Sequence, residues 1–163
     1  MSGSTLSTAR LIAIMAPTLL LGGAIVSQYV GGLYPCEMCY WQRWPHLAAI
    51  GLALLAILLR NGPISRLLTL LAGIAILVSG AIGVFHAGVE YHWWEGLTRC
   101  STAPLAGGSN ADILANIMAT PLIRCDQAQW TLGGISLAGF NALFSLAAAV
   151  AIFVLLSKRN VRR

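Results

Sequence analysis

Of 163 residues, 58% are hydrophobic and only 9% are charged, whereas soluble domains carry roughly 25% charged residues. This excludes an ordinary soluble domain and makes the chain a membrane protein; the formal net charge is +5, and no nucleic-acid partner is expected. The cysteines fall as a close pair, Cys36 and Cys39, and a distant pair, Cys100 and Cys125, none of them inside an apolar run. In an oxidising compartment an even count points to disulfides, while the same thiols facing the cytosol would stay reduced or bind metal, so topology decides their chemistry.

Residues 1–9 are short, polar and unpatterned, and the apolar run behind them reads as a retained span rather than a cleaved signal. The first span is expected at about residues 11–30. It contains Pro17 and the pair Gly22-Gly23, which in lipid mark close helix packing or a bend. Gly31-Gly32-Leu33-Tyr34-Pro35 then forms a tight connection into Cys36-Glu37-Met38-Cys39-Tyr40-Trp41-Gln42-Arg43. Two cysteines separated by two residues close a small, strained ring, and a thiolate at a helix start is stabilised by the unpaired backbone N–H groups there. If the helix begins near Cys39, Arg43 lies one turn on, where its fixed charge lowers the thiol pKa and can bind a partially reduced oxygen ligand. The motif therefore reads as a redox centre at a membrane surface.

The second span is expected at about residues 44–59, with Pro45 at a first helical position or bending a helix that starts earlier. His46 either shares the face of Arg43 or packs on a neighbouring span. A short basic turn, Arg60 to Arg66, leads to a third span at about 67–89. Residues 90–131 make the long hydrophilic excursion, with Cys100, Cys125, Pro104 and Gly107-Gly108, and are the place for a soluble partner to dock. Within it, residues 110–119 carry Ile113, Leu114, Ile117 and Met118 on one helical face, the pattern of a short interfacial helix. The fourth span is expected at about 132–156. The five tryptophans, Trp41, Trp44, Trp93, Trp94 and Trp130, fall toward one side as an aromatic belt, with Trp41 and Trp44 also placed to wall a pocket.

Arg10, Arg60, Arg66, Lys158, Arg159, Arg162 and Arg163 fall on one side of a four-span arrangement, and Arg43, Arg99 and Arg124 on the other. The positive-inside rule then puts both termini in the cytoplasm and all the cysteines outside. The expected fold is a single domain, all-α and integral to the membrane: a four-transmembrane-helix bundle with two periplasmic loops, at about 31–43 and 90–131, the second carrying the short helix.

Over nearly its whole length the chain resembles the DsbB disulfide-bond formation proteins. The resemblance rests on Cys36-Glu37-Met38-Cys39 with Gln42-Arg43 in the first outer loop, on Cys100 and Cys125 in the second, and on Cys125-Asp126-Gln127-Ala128-Gln129-Trp130-Thr131-Leu132-Gly133 leading into the last span. It implies a bacterial inner-membrane thiol:quinone oxidoreductase that reoxidises a periplasmic DsbA-like thioredoxin-fold oxidase and passes the electrons to ubiquinone or menaquinone, the path that keeps the periplasm oxidising. It further implies that Cys100 forms the mixed disulfide with the partner, that Cys100 and Cys125 are the partner-facing pair, and that Cys36 and Cys39 are the quinone-facing pair. Cys39 would engage the quinone, Arg43 would help to hold it, and His86 resembles a family histidine near it.

Other readings exist for the same residues. A metal site is disfavoured because Cys100 and Cys125 are not a close pair, haem attachment is excluded by Tyr40 after the second cysteine, and a structural bridge across so small a ring constrains little chain entropy. A vitamin K epoxide reductase-like enzyme would carry its active pair late in the chain, and a non-enzymatic four-span scaffold or metal-binding protein would hold metal and no quinone.

Overall fold

The computed structural model describes residues 3–59, 62–97, 109 and 123–158. Among them are four α-helices, α1 (Gly3–Tyr29), α2 (Glu37–Leu58), α3 (Pro63–Glu90) and α4 (Leu137–Ser157), and a two-stranded ribbon, β1 (Thr131–Leu132) and β2 (Ile135–Ser136). Thr5–Tyr29, Pro63–Glu90 and Leu137–Ser157 are each long and apolar enough to cross a membrane. Helix α2 is also long, at 22 residues, about 33 Å at the α-helical rise, but its first half carries Gln42, Arg43, Pro45 and His46.

Helix α3 packs most extensively, between α2 and α4, and α1 closes the bundle against those same two helices. The shared core is built largely from alanine: Ala9, Ala13, Ala49, Ala53, Ala72 and Ala149 are buried around Ile76 and Ile152. Large side chains such as Leu19, Leu58, Phe144 and Val150 are exposed on the outside. Lipid offers no hydrophobic drive to bring helices together, so small residues that let backbones approach take the interfaces and bulky ones face outward. A Cβ on Gly83 would lie 3.0 Å from the Ala142 nitrogen and 3.1 Å from the Ala138 oxygen, both backbone atoms of α4. Gly73 and Gly80 of α3 likewise lie against side chains of α4. Gly22 and Gly23, expected to pack closely, would meet nothing within 4 Å, and Gly23 instead borders a cavity.

Helix boundaries differ from expectation at two places, and at a third the structure takes one of two open alternatives. Helix α1 starts well before residue 11, at Gly3, and α2 takes the earlier of its two possible starts, at Glu37 with Pro45 in its interior. The reason is a cap: Cys36 is extended, and its Sγ accepts the Cys39 backbone N–H at 3.3 Å, satisfying a donor that a helix start otherwise leaves open. Helix α4 starts at Leu137 rather than near 132, because Gly133 (φ 60°) and Gly134 (φ 80°) form the two-residue turn of an antiparallel ribbon pairing Thr131 with Ser136 and Leu132 with Ile135. Two successive positive φ angles are what such hairpin turns require of glycine. Ser136 then caps α4 through Gly139 N–H at 3.1 Å. The expected interfacial helix at 110–119, like Cys100, lies outside the described residues.

Candidate functional site

The site lies at the end of the bundle where α2 begins and α3 ends. At the start of α2, the Cys36 and Cys39 sulfurs are 3.0 Å apart, so closing a disulfide of about 2.05 Å takes a movement of roughly 1 Å. Cys36 is buried, and it packs with Met38 and Val89 in a small cluster to which Cys39, Phe85, Ile123 and Cys125 are added. Cys125 hydrogen bonds to the Cys36 side chain. Sequence spacing makes Cys36 and Cys39 neighbours, and the fold adds Cys125. That hydrogen bond, then the one to Cys39, then burial, push the Cys36 thiol up, outweighing the Cys39 backbone N–H that lowers it. A protonated Cys36 is a donor inside the cluster.

Two clamps hold the loops in this arrangement. The Tyr34 backbone N–H donates to Gln129 Oε1 at 2.9 Å, and Gln129 Nε2 donates back to the Tyr34 carbonyl, so one side-chain amide joins the two loops as a strand partner would. The Tyr91 hydroxyl donates to the Gly134 carbonyl at 2.9 Å and accepts Ser136 N–H at 3.0 Å, fixing the ribbon on the end of α3. Trp94 stacks on Phe85, donates to the Phe85 carbonyl at 2.9 Å, and sits over Gly88, where a Cβ would come within 2.0 Å of its ring. Arg124 pairs with Asp126 and holds that half-buried carboxyl below its usual range.

Behind the thiols a chain of buried polar groups crosses from α3 through α2 to α4. His86 Nε2 lies 3.5 Å from Cys36 Sγ and 3.8 Å from Glu90 Oε1, with the Cys125 backbone also bonded to its ring. Its Nδ1 is 2.8 Å from Gln42 Nε2, Gln42 Oε1 accepts from Asn141 Nδ2 at 2.7 Å, and Asn141 Oδ1 is 2.8 Å from His46 Nε2. Ser79 and Ser145 complete it: Ser79 Oγ donates to the Gln42 carbonyl at 2.8 Å, and Ser145 Oγ donates to Asn141 Oδ1 at 3.0 Å.

A cavity of about 250 Å³ opens beside this chain, with Cys36, Cys39, Arg43, His46, Trp130 and Phe140 among its walls. It has room for a single substituted ring between apolar and convergent polar groups. Arg43 donates from Nη1 to Gln28 Oε1 at 2.6 Å and from Nη2 to the Ala24 carbonyl at 3.3 Å, and its guanidinium lies 5.2 Å from the centre of the Tyr40 ring. These are neutral partners. Arg43 Nε and His46 Nδ1 are buried with no hydrogen-bond partner. Unpaired polar atoms on residues that line a cavity fit a ligand with polar oxygens on an apolar ring, which is the chemistry of a quinone. Cys36, Cys39 and His86 also offer one ligand atom each within 4.8 Å of one another.

The structure thus brings Cys36, Cys39, Cys125, His86 and Arg43 to one site. Trp130, and not Trp41 or Trp44, is the tryptophan on the cavity wall. Sequence reasoning passed over Gln42 as a network residue, and Ser79, Asn141 and Ser145 altogether. The available signal was the polar residue inside an apolar span, which by default faces the bundle interior or a site.

A bundle of apolar helices capped by neighbouring thiols, one of them at a helix N-terminus, defines a membrane thiol-redox protein. Residues 7–155 match the family described as disulfide bond formation protein DsbB, and the chain belongs to that family. It is a multi-pass membrane protein and a disulfide-forming oxidoreductase. Similar proteins include Disulfide bond formation protein B of Marinobacter nauticus (strain ATCC 700491 / DSM 11845 / VT8), 29% identical over 152 residues, covering 88% of each chain. Another is the uncharacterized protein RP370 of Rickettsia prowazekii (strain Madrid E), 25% identical over 139 residues, which cover 84% of this chain and 80% of that one. No solved structure matches significantly.

Proposed function

We propose that this chain is a four-span thiol:quinone oxidoreductase of the bacterial inner membrane, with both termini cytoplasmic, that reoxidises a periplasmic DsbA-like dithiol oxidase. The observation that carries it is the packing of Cys125 against Cys36 and Cys39 beside a cavity walled by Arg43. A thiolate of the reduced partner attacks Cys100 in the Cys100–Cys125 disulfide, forming a mixed disulfide and releasing Cys125 thiolate. Cys125 attacks Cys36 in the Cys36–Cys39 disulfide, forming Cys36–Cys125 and releasing Cys39. The partner's second thiolate resolves the mixed disulfide, and the freed Cys100 re-forms its bond to Cys125, releasing Cys36. The partner has lost two electrons and the Cys36–Cys39 pair has gained them.

Arg43 and Cys39 would hold quinone in the cavity, with His86 donating toward the thiol pair. Bound quinone supplies a two-electron, two-proton acceptor, and the Cys36–Cys39 disulfide closes again as the electron pair leaves sulfur. The fixed charge of Arg43, with neutral partners and little water around it, favours negative charge in the cavity far more than it would in bulk solvent. The test is quinone reduction by the full chain with a reduced thioredoxin-fold partner: turnover is expected with ubiquinone or menaquinone, and no turnover with either would end this reading. A reporter-fusion map that put Cys100 on the cytoplasmic side would end it too, since thiols there meet a reducing pool.

The trio Cys36, Cys39 and His86 favours one second reading, a soft-metal site in the reduced protein. Stoichiometric zinc or copper in purified, reduced protein, with no quinone reduction, is the outcome that selects it.

A further inference from the structure

We propose that His46 is a binding residue for the reduced form of the ring: its bare Nδ1 accepts a hydrogen bond from a ligand hydroxyl, so the cavity prefers quinol to quinone. This rests on the thiol:quinone reading above and goes beyond it, because it assigns an anchor on α2 distinct from the Cys39 and Arg43 contacts.

The argument starts from a carbonyl. Gln42 Nε2 lies 3.1 Å from the Met38 backbone oxygen, which can only accept, so that atom of Gln42 is the amide nitrogen and not the oxygen. The other side-chain atom, Oε1, is then an acceptor, and the Asn141 atom 2.7 Å from it must be the donating Nδ2. Asn141 Oδ1 is therefore an acceptor, and His46 Nε2, 2.8 Å away, must carry the proton. Ser79 Oγ, 2.9 Å from the same nitrogen, spends its own proton on the Gln42 carbonyl and agrees with this assignment. In a neutral imidazole with Nε2 protonated, Nδ1 is a bare acceptor. That is the atom found buried and unpaired, on a ring only 3% exposed, and His46 is part of the cavity wall.

Gln42 sets the other histidine in the same tautomer but with the other edge toward the site. Its second amide proton goes to His86 Nδ1 at 2.8 Å, so His86 carries its proton on Nε2 and turns a donor toward Cys36 Sγ at 3.5 Å. One glutamine thus orients a donor at the thiol end and an acceptor at the cavity wall. A quinone carbonyl can only accept and gains nothing from a bare nitrogen, whereas a quinol hydroxyl donates to it. Arg43 Nε, the other orphan, is a donor and serves an oxygen of either form.

Two measurements test this on the full chain in micelles. In a Cys39→Ala background, which stops thiol exchange with the ligand, quenching of tryptophan fluorescence titrates decylubiquinol and decylubiquinone separately. With His46 present, the quinol is expected to bind roughly threefold to tenfold more tightly than the quinone, the range that one net hydrogen bond provides. In His46→Phe the ratio should fall to near one through weaker quinol binding. The second measurement needs no substitution at His46: in ¹⁵N-histidine spectra, assigned with His86→Gln and His92→Gln, His46 Nδ1 should resonate as an unprotonated nitrogen and shift with decylubiquinol but not with decylubiquinone. A protonated Nδ1, or a quinol-to-quinone ratio unchanged by His46→Phe, overturns the proposal. If neither ligand binds, the quinone reading falls and takes this one with it; if both bind with His46 unaffected, the quinone reading stands and only the role of His46 is lost.

Discussion

Replacing Gln42 by leucine tests whether the buried chain of polar groups is a connected unit. Gln42 is 6% exposed and contributes three of the chain's contacts, to the Met38 carbonyl, to His86 Nδ1 and from Asn141 Nδ2. Leucine keeps the volume and removes all three. Asn141 Nδ2 retains Ser79, whose carbonyl and hydroxyl oxygens are each 3.2 Å away, so it loses about one net hydrogen bond, or roughly 0.5–1.5 kcal/mol. His86 Nδ1 is left with no donor among the described residues, an orphan worth about 1–3 kcal/mol. The sum, about 1.5–4.5 kcal/mol, is expected to lower the unfolding midpoint in micelles by roughly 3–18 °C for a chain of this size. Because the penalty comes mostly from stranding His86, Gln42→Leu/His86→Leu should be less destabilised than the two single changes added together. A midpoint within about 2 °C of the unsubstituted protein, or strict additivity of the pair, refutes the connected chain.

Arg43→Met should keep the fold, since it gives up two hydrogen bonds to α1 and the contact with the Tyr40 ring, and should raise the quinone concentration needed for half-maximal reduction at least tenfold, roughly one charge-assisted hydrogen bond; Arg43→Lys should recover part of this, and steady-state kinetics with both variants decides whether Arg43 is merely an interfacial anchor. Cys100→Ser should abolish the mixed disulfide with the partner and leave quinone bound, and loss of quinone in that variant would contradict the division between the cysteine pairs. In Cys39→Ser/Cys100→Ser, mild oxidation should join Cys36 to Cys125, as their packing requires; peptide mapping by mass spectrometry that finds both thiols free argues against exchange through Cys36. Gly83→Leu, which drives a side chain into the backbone of α4, should destabilise by about 1–3 kcal/mol or more, while Gly22→Ala, with open space around it, should be neutral or slightly stabilising; equal unfolding midpoints for the two would show that α3 and α4 are not in close contact there.

Much of this was legible in the sequence because lipid leaves few solutions. Long apolar runs in 163 residues mean helices, and a close cysteine pair followed by Arg43 marks the candidate site whatever the packing. The start of α2 was less legible, because Pro45 signals a helix start locally while the Cys36 cap, a sulfur acting where serine or aspartate is usual, moves the start earlier. The close-packed glycines could not be told from the open ones by composition: Gly22-Gly23 and Gly83 differ only in what stands opposite, which is a tertiary fact. The neighbourhood of Cys125 and Cys36 was beyond spacing altogether. It depends on Gln129 mimicking a strand partner for Tyr34, a pairing that no local pattern announces.

The polar chain also explains why the bundle has one arrangement. Alanine interfaces bring α2, α3 and α4 close but discriminate poorly between registers, since one alanine fits where another does. A single helical residue of slip moves a side chain by about 100° around its axis. Such a slip of α4 would withdraw Asn141 from Gln42, His46 and Ser79 together, leaving several buried groups unpaired where no water replaces them. Buried polar contacts of this kind add little to stability when made and subtract much when broken. Their effect is therefore on which packing is adopted, and the packing they select is the one in which His86 lies against Cys36 and His46 lines the cavity. The residues that fix the register of the bundle are the same ones that set the proton positions at the end that holds the thiols.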